Sequence, residues 1–283
     1  MLTKHEINGR DCLFYTPSSV PSGAGRTARV RQLPLVIALH GGLGNAKSIM
    51  DATGFNSKAD LEEFCVAYPE GTEGIGPTMK NRRTWNASGK CCGVAVTRGI
   101  DDVGWLTGVV SFLSAKYPID LTRVYVTGMS NGAMMGYALA NGSPGLITAV
   151  ASVAGALLET NLSSFARTPV LHIHGKKDDN IPIAGGKGPA SEVIYPSLEV
   201  TLDLLLASRG EYINNPSKFP IGNERFVYDC TQGAQVEVIL HNGGHVWPDT
   251  MGMYATEQVW SFFRRFPHRE PGQYPVAQRL STL

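Results

Sequence analysis

Short apolar runs recur along the chain and alternate with segments of helical periodicity or with glycine-rich turns. The runs lie at residues 35–39, 65–69, 124–127, 149–153, 170–174 and 236–240. A strand buried on both faces gives such a run, because both rows of its side chains lie in the core. The alternation of these strands with helices predicts an α/β fold with a mostly parallel, doubly wound sheet and helices on both faces.

The remaining elements follow from periodicity and turn residues. The segment up to Pro17 alternates loosely around Asn8-Gly9 and is typical of an edge hairpin. Helices are predicted at residues 60–64, 101–117, 133–140, 192–208 and 254–266. Residues 71–98 form a long irregular stretch of the kind that often carries function. No internal repeat or linker divides the chain, so we expect a single domain over residues 1–283.

Composition and charge exclude several classes of protein. The 283 residues are 43% hydrophobic, which is too apolar for a disordered chain. Lys and Arg number 25 against 24 Asp and Glu, and this balance argues against a general nucleic-acid binder. No apolar run approaches the roughly 18 residues of a membrane span. We therefore expect neither nucleic acid nor a membrane as a partner, and the oligomeric state is not readable from the sequence.

The cysteines and the N-terminus bear on the compartment without deciding it. Cys91 and Cys92 are adjacent, and they are either free thiols or part of a loop disulfide, vicinal or to a distant partner. The five cysteines include no CxxC pair, so no zinc site is expected. The first residues lack the apolar core of a signal peptide, which leaves a cytoplasmic location or a removed signal.

A candidate nucleophile lies between a predicted strand and a predicted helix. Residues 128–132 read Gly-Met-Ser-Asn-Gly, and the glycines on either side of Ser130 allow strand and helix to approach closely. The serine hydroxyl would then project at the carboxyl edge of the sheet, next to a helix N-terminus. This context, more than the motif alone, predicts that Ser130 is catalytic.

A serine nucleophile needs a histidine base and a carboxylate that orients the base. Asp178 and Asp179 both follow the predicted strand at 170–174 and can supply the carboxylate. His245 follows two glycines after a later strand, and His241 is its competitor nearer the strand end. His172 and His174 alternate with apolar residues in a strand and are expected in the core.

The tetrahedral oxyanion of acyl transfer requires two backbone N–H groups. One is expected from Asn131, directly after the nucleophile. The other is expected from Gly42 or Leu43, since a His-Gly-Gly turn follows the strand that ends at residue 39.

These motifs together resemble a known family. They are LHGG at 39–42, YPEG at 68–71, WN at 85–86, CCG at 91–93, DDVG at 101–104, GMSNG at 128–132, HG at 174–175 with Asp178 and Pro182, and GGHVWP at 243–248. The chain resembles α/β-hydrolase esterases that include polyhydroxybutyrate depolymerases, feruloyl esterases and relatives in carbohydrate esterase family 1.

The resemblance implies an α/β-hydrolase fold and a Ser130, Asp178 and His245 triad, because the family pattern favours these residues over Asp179 and His241. It implies ester hydrolysis through an acyl-enzyme, without a metal or other cofactor, and a secreted or periplasmic location. The family also includes hydrolases of poly(aspartic acid), so amide cleavage of an anionic polymer is the second hypothesis. A catalytically inactive binding protein on the same fold is a third, from another class.

Residues that contact substrate are harder to predict. Five basic residues and no acidic one lie between Ile75 and Arg98. Arg82 and Arg83 from this stretch, with Lys177 beside the candidate acid Asp178, are candidates for an anion-attracting rim. An ordinary solvated surface explains the same charges. The indoles of Trp85, Trp105 and Trp247 are candidates for an apolar floor, although Trp105 also fits the core.

Overall fold

The computed structural model describes residues 1–20, 31–162, 164–189, 192–211, 217–221, 223–230, 234–249 and 254–266. Within them the strands are Leu2–Ile7 (β1), Arg10–Tyr15 (β2), Leu33–Leu39 (β3), Cys65–Pro69 (β4), Thr72–Glu73 (β5), Arg83–Thr84 (β6), Ile119–Met129 (β7), Ala149–Val153 (β8), Val170–Gly175 (β9), Gly186–Lys187 (β10), Ile194–Tyr195 (β11), Ser217–Ile221 (β12), Asn223–Tyr228 (β13) and Val236–His241 (β14). The α-helices are Ala46–Thr53 (α1), Phe55–Glu62 (α2), Gly93–Thr97 (α3), Asp102–Lys116 (α4), Asn131–Gly142 (α5), Leu198–Ala207 (α6) and Ala255–Phe263 (α7).

One large sheet organises the described chain. Its strand order is β1-β2-β4-β3-β7-β8-β9-β14-β13-β12. The strands from β4 to β14 in this order are parallel, and the strands outside them pair antiparallel. This arrangement agrees with the mostly parallel sheet that the apolar runs predict.

Side chains on alternate positions of each strand enter different cores. On β3, Leu35 and Ile37 lie in a core covered by α4, α5 and α6, while Val36 and Ala38 lie in one covered by α1, α2 and α7. Every residue of β3 is buried, because helices pack on both faces of the sheet. The expected placement of helices on both faces is therefore present.

The register of the parallel strands aligns their carboxyl ends. Leu39 pairs with Gly128, Met129 with Val153, and His241 with Gly175. The loops that follow β3, β7, β9 and β14 consequently leave the sheet at the same edge. In open α/β sheets this edge is where ligands bind.

Several element boundaries differ from the sequence prediction. The helix expected at 60–64 is wrong in its limits, because α2 runs over Phe55–Glu62 and is preceded by α1. The helix expected at 192–208 begins only at Leu198, since Ile194–Tyr195 form a short strand and Pro196 disfavours helical backbone before it. The Ser197 side chain caps that helix by accepting the Val200 N–H. The single-domain assignment stays a prediction.

Among the described residues no helix is both long enough and apolar enough to span a bilayer.

Candidate active site

Ser130 lies on a sharp turn between β7 and α5. Its backbone has φ 56° and ψ −123°, a left-handed conformation that costs a non-glycine residue about 1–3 kcal/mol. The turn is held because the Ser130 N–H donates to the Val153 carbonyl at 2.9 Å and its carbonyl accepts the Met134 N–H at 3.0 Å. The side chain is half-buried at the carboxyl edge of the sheet.

Two glycines make this turn sterically feasible. A Cβ atom on Gly132 would collide with the carbonyl oxygens of Leu39 and His40. A Cβ atom on Gly128 would lie 2.6 Å from the carbonyl carbon of Gly132. The nucleophile turn therefore packs directly against the end of β3, which brings the His-Gly-Gly turn next to Ser130.

Asp178 and His245 are joined in the loops after β9 and β14. His245 Nδ1 lies 2.8 Å from Asp178 Oδ2. Because the carboxylate accepts, Nδ1 carries the proton and Nε2 is left as a free base. The two loops are tied together by the Lys177 N–H, which donates to the Gly243 carbonyl at 3.0 Å. A close approach of Gly175 to Gly243 and Gly244 leaves no space there for a Cβ atom.

Asp178 is buried but held in its ionised form. Burial would raise the pKa of Asp178, but the neighbouring His174 and His245 side chains and the Ile181 N–H outweigh it and lower that pKa well below its ordinary value. The carboxylate can therefore orient His245 throughout the neutral range. Asp179 is exposed and His241 is buried with its Nδ1 accepting the Gly243 N–H, so neither takes part in this pair.

The pair follows strands close to the one that ends at Ser130. β8 alone separates β7 from β9, and β8 with β9 separates β7 from β14, so the ends of β9 and β14 lie about 10 and about 14 Å from the end of β7. The loop after β14 brings His245 back to Asp178, which follows β9, and so covers part of that distance.

The candidate oxyanion donors also lie side by side. Asn131 occupies the first position of α5, where the backbone N–H has no acceptor within the helix. A Cβ atom on Gly41 would lie 3.5 Å from Ser130 Cβ, and one on Gly42 would lie 3.7 Å from Asn131 Cβ. The Gly42 and Asn131 backbones therefore flank the nucleophile.

Leu43 does not fit the donor role that the sequence left open for it. Its N–H already donates to the Arg83 carbonyl at 2.8 Å. Within the described residues the Gly42 N–H has no backbone acceptor, so Gly42 is the remaining candidate.

The Asn131 side chain fixes a loop over this site. It is buried, its Oδ1 accepts the Trp85 N–H at 2.7 Å, and its Nδ2 donates to the carbonyls of Trp85 and Cys91 at 3.1 and 3.4 Å. The Asn131 side chain thus anchors the 85–92 loop, while its backbone N–H remains a candidate oxyanion donor.

These groups together form an arrangement suited to acyl transfer. A strained serine, a histidine with its proton directed to a carboxylate, and two unengaged N–H groups are the parts that such chemistry requires. The family described as "Esterase PHB depolymerase" matches residues 18–198, more than half of the chain.

The chain belongs to the esterase PHB depolymerase family.

Relatives of this family member agree with the sequence resemblance. The bifunctional acetylxylan esterase/xylanase XynS20E of Neocallimastix patriciarum is 28% identical over 60% of this chain and 22% of its own length. Poly(3-hydroxyalkanoate) depolymerase C of Paucimonas lemoignei is 31% identical over 50% of this chain and 30% of its own length. Feruloyl esterase B of Neurospora crassa is 35% identical over 43% of this chain and 38% of its own length. The chain covers less than two thirds of the length of each relative.

Solved structures confirm the expected fold. An acetyl xylan esterase from Aspergillus awamori matches with a TM-score of 0.64 at 16% identity, covering 93% of this chain and 99% of that one. A thermostable esterase matches with a TM-score of 0.57 at 14% identity, and the match covers 94% of this chain and 62% of that one. The family member therefore has the α/β-hydrolase fold.

The expected tryptophan floor is wrong for Trp85. This indole is fully buried, and its Nε1–H donates to the His40 carbonyl at 3.0 Å. Trp105 and Trp247 are each only 9% exposed. Their Nε1–H groups bind the Ile7 carbonyl and the Thr256 hydroxyl, which directs both rings into the core. All three indoles stabilise the scaffold and offer almost no surface to a substrate.

The basic stretch is also partly neutralised by acids from outside it. Arg83 forms ion pairs with Glu70 at 3.0 Å and Glu73 at 3.7 Å, so it is not a free cation. Arg82 and Lys177 are exposed, and neither forms an ion pair with any described residue. The expected anion-attracting rim is thereby reduced to these two side chains.

The cysteines divide into a bonded pair and free thiols. A vicinal disulfide joins Cys91 and Cys92 in the loop that Asn131 anchors, while Cys12, Cys65 and Cys230 are free. In the described part of the chain no three His, Cys, Asp or Glu side chains are grouped so that they could hold a metal ion.

His40 has a supporting role that the sequence did not predict. The ring is buried, its Nε2 accepts the Gly71 N–H at 3.0 Å, and its Nδ1 lies 2.8 Å from the Gly41 carbonyl. Burial lowers the pKa of His40 to about 4, and Arg83 contributes in the same direction against the Gly41 hydrogen bond. A neutral His40 thus holds the turn that presents Gly42. In the sequence, the position of His40 directly before two glycines was the feature that could have indicated this role.

Gly132→Ala should destabilise the protein by about 3 kcal/mol or more, because the new methyl group meets backbone carbonyls that cannot move away. Gly136→Ala in the same helix is the matched control. Its Cβ would lie 3.6 Å from Val126, an ordinary contact, so its stability should stay within about 1 kcal/mol of wild type. Urea unfolding measures both. Equal stability of the two variants would contradict the close packing at Gly132.

His40→Gln should reduce the dependence of stability on pH. The pKa of His40 falls from 6.5 unfolded to about 4 folded, so the unfolded chain binds more protons between these values. Wild-type stability is therefore lost as pH decreases from 6.5 toward 4, by up to about 1.4 kcal/mol per pH unit from this group. Urea unfolding at several pH values should give a shallower slope for the variant, whose amide can still accept the Gly71 N–H. Identical slopes would show that His40 does not titrate this way.

Proposed function

We propose that this chain is a serine carboxylic ester hydrolase. Ser130 is the nucleophile, His245 the general base and Asp178 the acid that orients it. The observation that carries this proposal is the 2.8 Å contact between His245 Nδ1 and Asp178 Oδ2 at the sheet edge where Ser130 projects. Membership of an esterase family supports the same reaction class.

The reaction proceeds in two acyl-transfer steps. His245 Nε2 takes the hydroxyl proton as Ser130 Oγ attacks the ester carbonyl. The backbone N–H groups of Asn131 and Gly42 stabilise the tetrahedral oxyanion. His245 then protonates the leaving alcohol, and a water activated by the same ring hydrolyses the acyl-enzyme.

The proposed substrates are esters of polymeric or of aryl and aliphatic type. Relatives named as a poly(3-hydroxyalkanoate) depolymerase, a feruloyl esterase and acetylxylan esterases support this range. Two exposed apolar side chains adjoin the site: Leu43 follows the proposed donor Gly42, and Val246 follows His245. An apolar border of this kind favours an uncharged ester, and an ester-cleaving depolymerase is the first choice.

The two other hypotheses have weaker support. The ion pairs of Arg83 with Glu70 and Glu73 reduce the charge available to a poly(aspartic acid) chain. A catalytically inactive binding protein would not need the complete set of Ser130, Asp178 and His245 in this geometry.

Ser130→Ala should decrease kcat on a short nitrophenyl ester by a factor of about 10⁴ or more, because no other group replaces the nucleophile. It should also abolish covalent labelling by a fluorophosphonate. Ser57→Ala, at an exposed position on α2, is the matched control and should behave as wild type. Retention of most activity by Ser130→Ala would refute the assignment, and an unlabelled, inactive wild type would favour the binding-protein hypothesis.

A substrate series should separate ester from amide cleavage. Against polyhydroxybutyrate, feruloyl esters, acetylated xylan and poly(aspartic acid), we expect ester turnover with a KM that changes less than about twofold between low and about 0.15 M ionic strength. The double variant Arg82→Gln with Lys177→Gln should leave that KM unchanged. Cleavage of poly(aspartic acid) with a salt-sensitive KM that the double variant weakens would instead establish the anionic-polymer hypothesis.

A further inference from the structure

Two histidines that the proposed reaction does not use lie side by side in the core. His172 and His174 on β9 are only 1% and 3% exposed. Their rings stack with centroids 5.3 Å apart and planes inclined by 8°. Buried polar rings are costly unless their nitrogens are bonded, so the partners of each nitrogen are informative.

Every nitrogen of the pair has a partner, and the protons can be assigned. His174 Nε2 lies 2.8 Å from the Ile181 carbonyl, which can only accept, so Nε2 carries the proton. In the neutral ring His174 Nδ1 then accepts, and it lies 3.0 Å from His172 Nε2. His172 Nδ1 in turn lies 2.8 Å from the Tyr137 hydroxyl. The hydrogen bonds therefore run in one direction, from Tyr137 on α5 to Ile181.

The last ring of this chain also faces the triad acid. His174 Nε2 is 3.4 Å from Asp178 Oδ2, the oxygen that His245 contacts. The other carboxylate oxygen, Oδ1, accepts the N–H groups of Asn180 and Ile181 at 3.0 and 2.8 Å. His174 thus holds the carbonyl of the residue whose N–H holds Asp178, and its Nε2 lies beside the same carboxylate.

We propose that His172 and His174 are positioning residues for the triad acid: the directed hydrogen bonds from Tyr137 keep the His174 Nε2–H facing Asp178 and so keep Oδ2 aimed at His245. This inference rests on the proposed role of Asp178 in the hydrolase reaction. It adds a buried support that neither touches substrate nor exchanges protons with it.

The direction of the hydrogen bonds requires neutral rings, and the surroundings of His172 favour its neutral form. Burial, followed by the adjacent His174, lowers the pKa of His172 well below its ordinary value. Burial also raises the pKa of Tyr137, which therefore remains a donor, with Arg209 acting in the opposite sense. Beside His174 and Asp178, burial and the neighbouring His174 lower the pKa of His241, while Asp178 acts in the opposite direction.

Loss of the His174 donor has a consequence that packing alone does not. Without this N–H the Asp178 carboxylate attracts the imidazolium form of His245 more strongly. The base then stays protonated up to a higher pH, so the acid limb of the kcat/KM profile moves upward. If His174 served only in packing, its substitution would lower the stability of the protein and leave the acid limb of the profile in place.

The tautomers can be tested without any assay of activity, by nitrogen NMR of the wild-type protein labelled at histidine. We expect both rings to carry a proton on Nε2, and His172 to be neutral from roughly pH 5 to 8. Tyr137→Phe should shift both sets of signals. Tyr68→Phe, which removes a buried hydroxyl bonded to Asn56 on the other side of the sheet, should leave them unchanged. A proton on Nδ1, or a cationic ring in this range, would overturn the inference.

The positioning role is tested by two substitutions of His174 on a short ester. His174→Leu should lower kcat by about tenfold, change KM less than about twofold, and move the acid limb up by about half a pH unit. His174→Gln, whose amide can still donate to Ile181 and Asp178, should retain most of the wild-type kcat and keep the acid limb close to its wild-type position. If both variants lose the same fraction of kcat and the acid limb of the kcat/KM profile does not move, the positioning role is refuted.

Folding and function are controlled separately. If His174→Leu does not fold, a comparison of His172→Leu with His172→Gln tests the preceding hydrogen bond in the same chain. We expect His172→Leu to move the acid limb of the kcat/KM profile in the same way. An unmoved limb would refute the positioning role. Inactivity of wild type, or full activity of Ser130→Ala, would refute the proposed hydrolase function, while the tautomer assignment would still be judged by NMR.

Discussion

The site depends on one steric constraint, the contact between the nucleophile turn and the end of β3. Gly132 leaves no room for a side chain beside the Leu39 and His40 carbonyls. Because β3 and β7 are neighbours in the sheet, this contact sets Ser130 in its strained backbone and places Gly42 beside Asn131. The proposed nucleophile and both proposed oxyanion donors therefore have their positions set by backbone packing, which no rotamer change can disturb.

Burial separates the histidines into distinct roles. His40, His172 and His174 are almost completely buried, and each is bonded through both ring nitrogens. His245 is less buried and bonds Asp178 through Nδ1, which leaves Nε2 for the proposed proton transfer. A low-dielectric interior disfavours the charged form of a histidine, and burial lowers the pKa of His40 and of His172 accordingly.

The parts predictable from sequence are those that local pattern determines. Buried parallel strands read as apolar runs, so β4 and β8 were predicted to the residue, and the Gly-Met-Ser-Asn-Gly turn pointed to Ser130. The errors concern contacts between distant segments. Trp85 is buried because it bonds His40, 45 residues earlier, and Arg83 is neutralised by Glu70 and Glu73, which lie outside the basic stretch. No local window contains these partners.

This division also indicates where substrate choice must arise. The residues that support the proposed triad and oxyanion site are buried, neutral or paired, and they present little surface. Exposed side chains that adjoin it along the chain include Leu43, Lys177 and Val246, each on a loop that follows a different parallel strand. Loops tolerate substitution better than the strands that carry them. Substitution at these three positions can therefore alter which ester is accepted while the buried support of the reaction remains intact.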